Sequence, residues 1–172
     1  MPGNSDKYFG KFRGTVMNNL DPMVSGRIQA MVPDVYGDRP SGWALPCLPL
    51  AGRQSGTFVV PAIGSNVWVE FERGDPDFPI WVGGFWDAST EPPQGGPRPG
   101  PAGTRIVLQS PMHHSITVSD MDDGTGGILL RSADGASLQI SRVGILIQNG
   151  NGASLQLVGP SVDINAGALV VT

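Results

Sequence analysis

Lysine is almost missing from this chain. Of 172 residues only Lys7 and Lys11 are lysines, charged residues amount to 15%, and the formal net charge is −4. Nucleic acid and anionic membrane surfaces select clustered cations, so this balance excludes them as main partners. Cysteine occurs once, as Cys47. That excludes an intrachain disulfide and fits synthesis in a reducing cytoplasm. No apolar run is long enough to span a bilayer. Met1 to Lys7 is polar and lacks the apolar segment of a signal peptide. The expectation is a protein made in the cytoplasm without a signal peptide, which a machine or lysis must carry out of the cell if it acts there. Sustained helical periodicity is also absent, so the chain reads as mainly β.

Turn residues are plentiful instead. The chain holds 25 glycines and 16 prolines, about twice the average share. From about Tyr8 to Trp86 five strand-like segments alternate apolar and polar side chains. They lie near Phe12–Val16, at Ile28–Val32, around Trp43, Leu45 and Cys47, at Val67–Phe71, and at Ile80–Trp86. Alternation of period two marks strands with one buried face. Five short strands with glycine-bearing turns predict a small Greek-key barrel of the OB type over residues 1–86. Cys47, in step with Trp43 and Leu45, is expected in its core, and Trp68, Trp81 and Trp86 outside it. Residues 87–103 read as a proline- and glycine-rich linker.

Residues 104–172 repeat. Gly135-Ala136-Ser137-Leu138-Gln139-Ile140 recurs seventeen residues later as Gly152-Ala153-Ser154-Leu155-Gln156-Leu157. Apolar pairs spaced i, i+2 occur at Ile106/Leu108, Ile116/Val118, Ile128/Leu130, Leu138/Ile140, Ile145/Ile147, Leu155/Leu157, Val162/Ile164 and Leu169/Val171. Fixed periods with turn residues between them signal stacked β structure. Seven to ten residues make one strand and one turn, too little to close around an axis. Three copies can close a triangular prism, each supplying one side, with the first seven pairs as trimer core. Backbone groups are then expected to pair between chains, which removes open edges. Eight strands spaced at about 4.8 Å predict a shaft of roughly 40 Å. The fold class expected is all-β: an N-terminal OB barrel followed by an intertwined trimeric β-helix.

Gly64-Ser65-Asn66-Val67-Trp68-Val69-Glu70-Phe71-Glu72, then Gly74-Asp75-Pro76-Asp77 and Pro79-Ile80-Trp81-Val82-Gly83, resemble a signature of contractile-tail spike proteins. These are the phage baseplate central spikes and the valine-glycine-repeat proteins of type VI secretion. Gly26-Arg27-Ile28-Gln29-Ala30-Met31-Val32-Pro33, Trp43-Ala44, Pro49-Leu50-Ala51-Gly52 and Pro61-Ala62-Ile63-Gly64 resemble neighbouring parts of the same domain. The resemblance covers roughly Phe9 to Trp86 by motif and the remainder by architecture. It implies a homotrimer on a trimeric hub protein, in a minimal form lacking the hub and lysozyme regions of some relatives. It also implies assembly into a phage-tail-like particle and transient contact with a target membrane. At the apex it implies a small tip protein of the proline-alanine-alanine-arginine (PAAR) repeat family, docked on Leu169, Val170, Val171 and Thr172.

Candidate chemical sites are few. His113 and His114 could bring three imidazoles together in a trimer, but neighbouring strand residues face opposite ways and no carboxylate pattern supports a metal. A turn or outward position is expected, and no metal. Asp120, Asp122, Asp123 and Gly124 lack the spacing and closing glutamate of a calcium loop. Glu70 and Glu72 fall on the outward face, and Asp75 and Asp77 in a turn, so none is expected to be catalytic. The expectation is a structural spike, not an enzyme, without cofactor or nucleic-acid partner. The alternative is an OB-type binder of oligosaccharide or single-stranded nucleic acid with a trimerising tail.

Overall fold

The computed structural model describes residues 6–93, 104–121 and 126–171. Backbone contacts divide the chain into two compact units, Met1–Glu91 and Pro92–Thr172. Both are built from strands. The described helical segments are one turn, α1 (Pro33–Tyr36), and a short 3-10 segment at Glu72–Gly74.

In the first unit, β1 (Phe12–Asn18), β2 (Gln29–Met31), β3 (Leu45–Pro46), β6 (Asn66–Phe71) and β7 (Pro79–Gly84) form one sheet in the order β2-β1-β6-β7-β3. Reciprocal hydrogen bonds between Ile28 and Ala44, of 3.2 and 2.7 Å, join its two ends and close the barrel. A small hairpin of β4 (Ala51–Gly52) and β5 (Ser55–Gly56) lies in the long connection after β3. This hairpin and α1 carry too few residues to leave a periodic signal in the sequence.

The expected alternation places the barrel core. Val16, Ile28, Ala30, Val32, Val67, Val69 and Phe71 are buried together with Ala44 and Trp81. Tyr36, from α1, packs edge-on to Phe71 and donates to the Pro76 carbonyl at 2.5 Å. Burial, with Asp77 nearby, pushes its phenol up to about 12.

Two inward positions differ from the sequence reading. Cys47 is exposed and Leu45 is half-exposed, because Ala44 is the residue of that segment drawn inward by the bridge to Ile28. Trp81 is buried, not outside. The β6–β7 ladder slips by one residue, so that Trp68 faces Gly83 while Val69 faces Trp81. Such a bulge inverts parity, so the inward face of Trp81 cannot be counted back from Phe85 and Trp86.

The second unit is an eight-stranded antiparallel meander. It runs in order through β8 (Arg105–Gln109), β9 (Ser115–Ser119), β10 (Gly127–Arg131), β11 (Ser137–Ile140), β12 (Ile145–Gln148), β13 (Ser154–Val158), β14 (Ser161–Ile164) and β15 (Leu169–Val171). The pairing expected between chains is made within one chain, because each strand turns straight back on its predecessor.

Three connections on one side of this sheet share a design. Ser110, Ser132 and Asn149 each donate their backbone N–H to the carbonyl four residues on, at 2.9, 2.8 and 3.1 Å. Their side-chain oxygens accept the backbone N–H of His114, Ala136 and Ala153. The fourth residue of each turn takes a positive φ: His113 at 66°, Gly135 at 90° and Gly152 at 102°. Ser132 and Asn149 lie seventeen residues apart, so the repeat is one hairpin plus its return turn.

Candidate assembly interface

In antiparallel pairs, residues directly opposite share a face. The registers therefore assemble the apolar pairs into two unbroken columns. One holds Ile106, Val118, Ile128, Ile140, Ile145, Leu157 and Val162. The other holds Leu108, Ile116, Leu130, Leu138, Ile147, Leu155, Ile164 and Leu169. All fourteen residues expected to face an axis lie on this one side. Gln139 and Gln156 lie on the other, across from Leu146.

Of the fourteen, eight are exposed and the other six, Leu138, Ile145, Leu155, Leu157, Val162 and Ile164, are half-buried. Ile106 and Leu108 are 58% and 66% exposed. In β8 the alternation is inverted from that of a self-sufficient sheet, with Ile106 and Leu108 more exposed than Arg105 and Gln109 beside them. Burying one large aliphatic side chain is worth about 1.5–3 kcal/mol. A sheet presenting two full columns of them is half of an interface. Strand β15 pairs only with β14 among the described residues, leaving the other edge of Leu169–Val171 open. Thr172 lies outside the described residues.

Several of the candidate side chains make turn and surface contacts. His113 holds the left-handed turn position, with its Nδ1 3.3 Å from Gln109 Nε2. His114 Nδ1 accepts the backbone N–H of Ala133 at 3.2 Å, which ties the first of the three turns to the second. Among the described residues no group of three or more histidine, cysteine or acidic side chains is placed to hold a metal. Asp122, Asp123 and Gly124 lie outside the described residues. Glu70 pairs with Lys11. Asp75 accepts the Asp77 N–H and the Lys7 ammonium, which hold its carboxyl below the usual range.

On the barrel exterior, Trp68 and Phe85 stack at 4.6 Å, and Arg13 lies over both rings. Arg13 also reaches Asp87 at 3.4 Å. The aromatic pair is thus already engaged by its own chain. Sequence reasoning missed a different exterior feature, the loop between β1 and β2. There the carboxylate of Asp21 gathers Met23, Ser25 and Arg27 around itself. The Asp–x–x–x–Ser spacing of a side-chain-capped turn was its only trace in the sequence.

A closed five-stranded barrel and an eight-stranded sheet with one largely exposed aliphatic face are the architecture of a structural assembly protein. Two family models match the chain in that same order. Residues 12–86 match the type VI secretion system/phage-baseplate injector OB domain. Residues 105–170 match the phage baseplate V C-terminal trimerisation domain. The chain is also 36% identical over 92 residues to the actin cross-linking toxin VgrG1 of Vibrio cholerae serotype O1. That alignment takes in 51% of this chain and 8% of that relative, so the chain spans a small part of it. The chain belongs to the phage-baseplate and type VI secretion spike family. Its second unit is a trimerisation domain, and the family builds tail-like injection machinery.

Proposed function

We propose that three copies of this chain form the central spike of a contractile injection machine. The aliphatic faces of β8–β15 pack together on a three-fold axis, each sheet forming one side of a prismatic β shaft. The barrel docks on a trimeric hub. The free edge of β15 accepts a strand or loop from a PAAR-type tip protein by β-addition. Sheath contraction then drives the capped shaft through the target envelope. The chain acts mechanically, carries no active site, and is loaded from the cytoplasm. Residues 87–103 serve as the connection between barrel and shaft.

One observation carries this reading: all fourteen pattern-selected aliphatic residues share one face in register, and eight of them are exposed. The trimerisation-domain match supports three as the stoichiometry. Sedimentation equilibrium tests it. The full chain is expected at three times its 18.0 kDa mass and resistant to mild denaturant. A stable folded monomer at micromolar concentration overturns it. Tip docking is tested separately by deleting Leu169 to Thr172. Capture of a PAAR-type protein is expected to fail while the trimer persists.

A further inference from the structure

The loop from Asn19 to Gly26 is built to hold one shape. The Asp21 carboxylate, 4% exposed, accepts the N–H of Met23 at 2.9 Å and of Ser25 at 2.8 Å. It also accepts the Ser25 hydroxyl at 2.9 Å and two Arg27 guanidinium N–H groups, at 3.0 and 2.6 Å. This clamp holds Val24 at φ 52°, a conformation that a β-branched residue avoids. The loop thus spends conformational energy to expose apolar side chains. Leu20, Met23 and Val24 are 79%, 70% and 79% exposed. Asp21 and Arg27 neutralise each other beneath them. Preorganised, uncharged and apolar, this tip has already met the ordering cost of an interface.

The same barrel carries a receiving surface. An open groove of about 710 Å³ lies between Ile63 and Trp86, with Pro61 and Phe85 in its wall and Asn66 and Glu91 as polar lining. Ile63 and Trp86 are 61% and 64% exposed. A cyclic trimer is held by heterologous contacts, in which one surface of each copy meets a different surface of the next. A projecting apolar tip and a receiving groove flanked by Ile63 and Trp86 on every barrel are the pair such a ring requires. A single docking partner would need only one of them.

We propose that the Leu20–Met23–Val24 tip of each barrel inserts into the Ile63–Trp86 groove of the neighbouring copy, closing a ring of three barrels. This rests on the trimeric reading above. The trimerisation domain on the same chain holds three barrels at millimolar effective concentration, so modest contacts suffice to close the ring. The barrels then present one joint three-fold surface instead of three separate ones.

The test uses full-length chains in which Cys47 is replaced by serine. A tagged copy carrying Met23→Cys is co-expressed with an untagged copy carrying Trp86→Cys, and the particles are oxidised. A covalent pair of one tagged and one untagged chain is expected on a non-reducing gel. Adding Val24→Asp is expected to cut its yield roughly tenfold or more, since an unpaired carboxylate would be buried at the contact. Sedimentation under reducing conditions runs alongside. Trimer mass without the covalent pair, or with a yield indifferent to Val24→Asp, overturns the ring of barrels and leaves the trimeric shaft standing. Monomer mass overturns both.

Discussion

The indole Nε1 of Trp81 donates a 3.1 Å hydrogen bond to the carbonyl of Gly26, 55 residues earlier in the chain. It pins the start of β2 to the middle of β7 from inside the barrel. Trp81→Phe keeps most of the ring but leaves that carbonyl unpaired. A buried group without its partner costs about 1–3 kcal/mol. The barrel transition in urea is expected to fall by that amount, with the shaft transition unchanged.

The two faces of the shaft sheet should respond unequally. Ile145 lies across from Leu157, and Leu155 across from Ile147. In the proposed trimer, Ile145→Asp or Leu155→Asp would set three carboxylates around one axis, where desolvation costs several kcal/mol per ion. Loss of trimer, or aggregation, is expected in sedimentation. Gln139→Ala and Gln156→Ala, on the opposite face, are expected to stay trimeric within about 0.5 kcal/mol.

Gly144, just before β12, lies close against the neighbouring strand. Its φ is 153°, and a Cβ there would lie 2.0 Å from the Leu157 carbonyl oxygen. Since the obstacle is backbone, no side-chain rotation relieves it. Gly144→Ala is expected to destabilise by more than about 1 kcal/mol, read as a lower thermal midpoint of the assembled protein.

Turn chemistry gives a test with the opposite sign. His113 sits where the two homologous turns carry Gly135 and Gly152. A left-handed backbone costs an ordinary residue about 1–2 kcal/mol. His113→Gly is expected to hold or raise the thermal midpoint, and His113→Val to lower it. Equal loss in both, reversed by added zinc, would instead point to a metal ligand.

The Asp21 clamp has a pH signature. The Arg27 guanidinium, helped by the Met23 and Ser25 N–H groups, holds its carboxyl well below the usual range against the opposing pull of burial. A group depressed in the folded state stabilises fully above its unfolded pKa of about 3.9 and loses that contribution as the pH falls toward the folded value. Stability is therefore expected to rise with pH between about 2 and 4. In Asp21→Asn the slope over that window should be shallower. An unchanged slope would mean the clamp does not form in solution.

The shaft was legible almost residue by residue because period two is written directly in Ile106/Leu108 and the pairs that follow. A meander preserves that parity through every strand. The barrel was less so. A single bulge between β6 and β7 inverted Trp81, and the alternation of Trp43, Leu45 and Cys47 misplaced Cys47 because only Leu45–Pro46 is strand. The loop clamp stayed hidden because its meaning lies in exposure, and sequence does not report which leucines and valines are left outside. Chain-to-chain pairing was expected where in-chain pairing occurs, since spacing alone does not tell which neighbour a strand finds.

The seventeen-residue hairpin repeat also sets a ruler. Two strands advance the stack by about 9.6 Å, and the hairpin begins and ends facing the same way. Duplicating or excising one such block leaves every remaining side chain on its own face. Any other insertion length that changes the strand count by one leaves the terminal strand running in the opposite direction. Evolution, or an engineer, can therefore tune the reach of this rod in quantised steps, like links added to a chain, without touching either end.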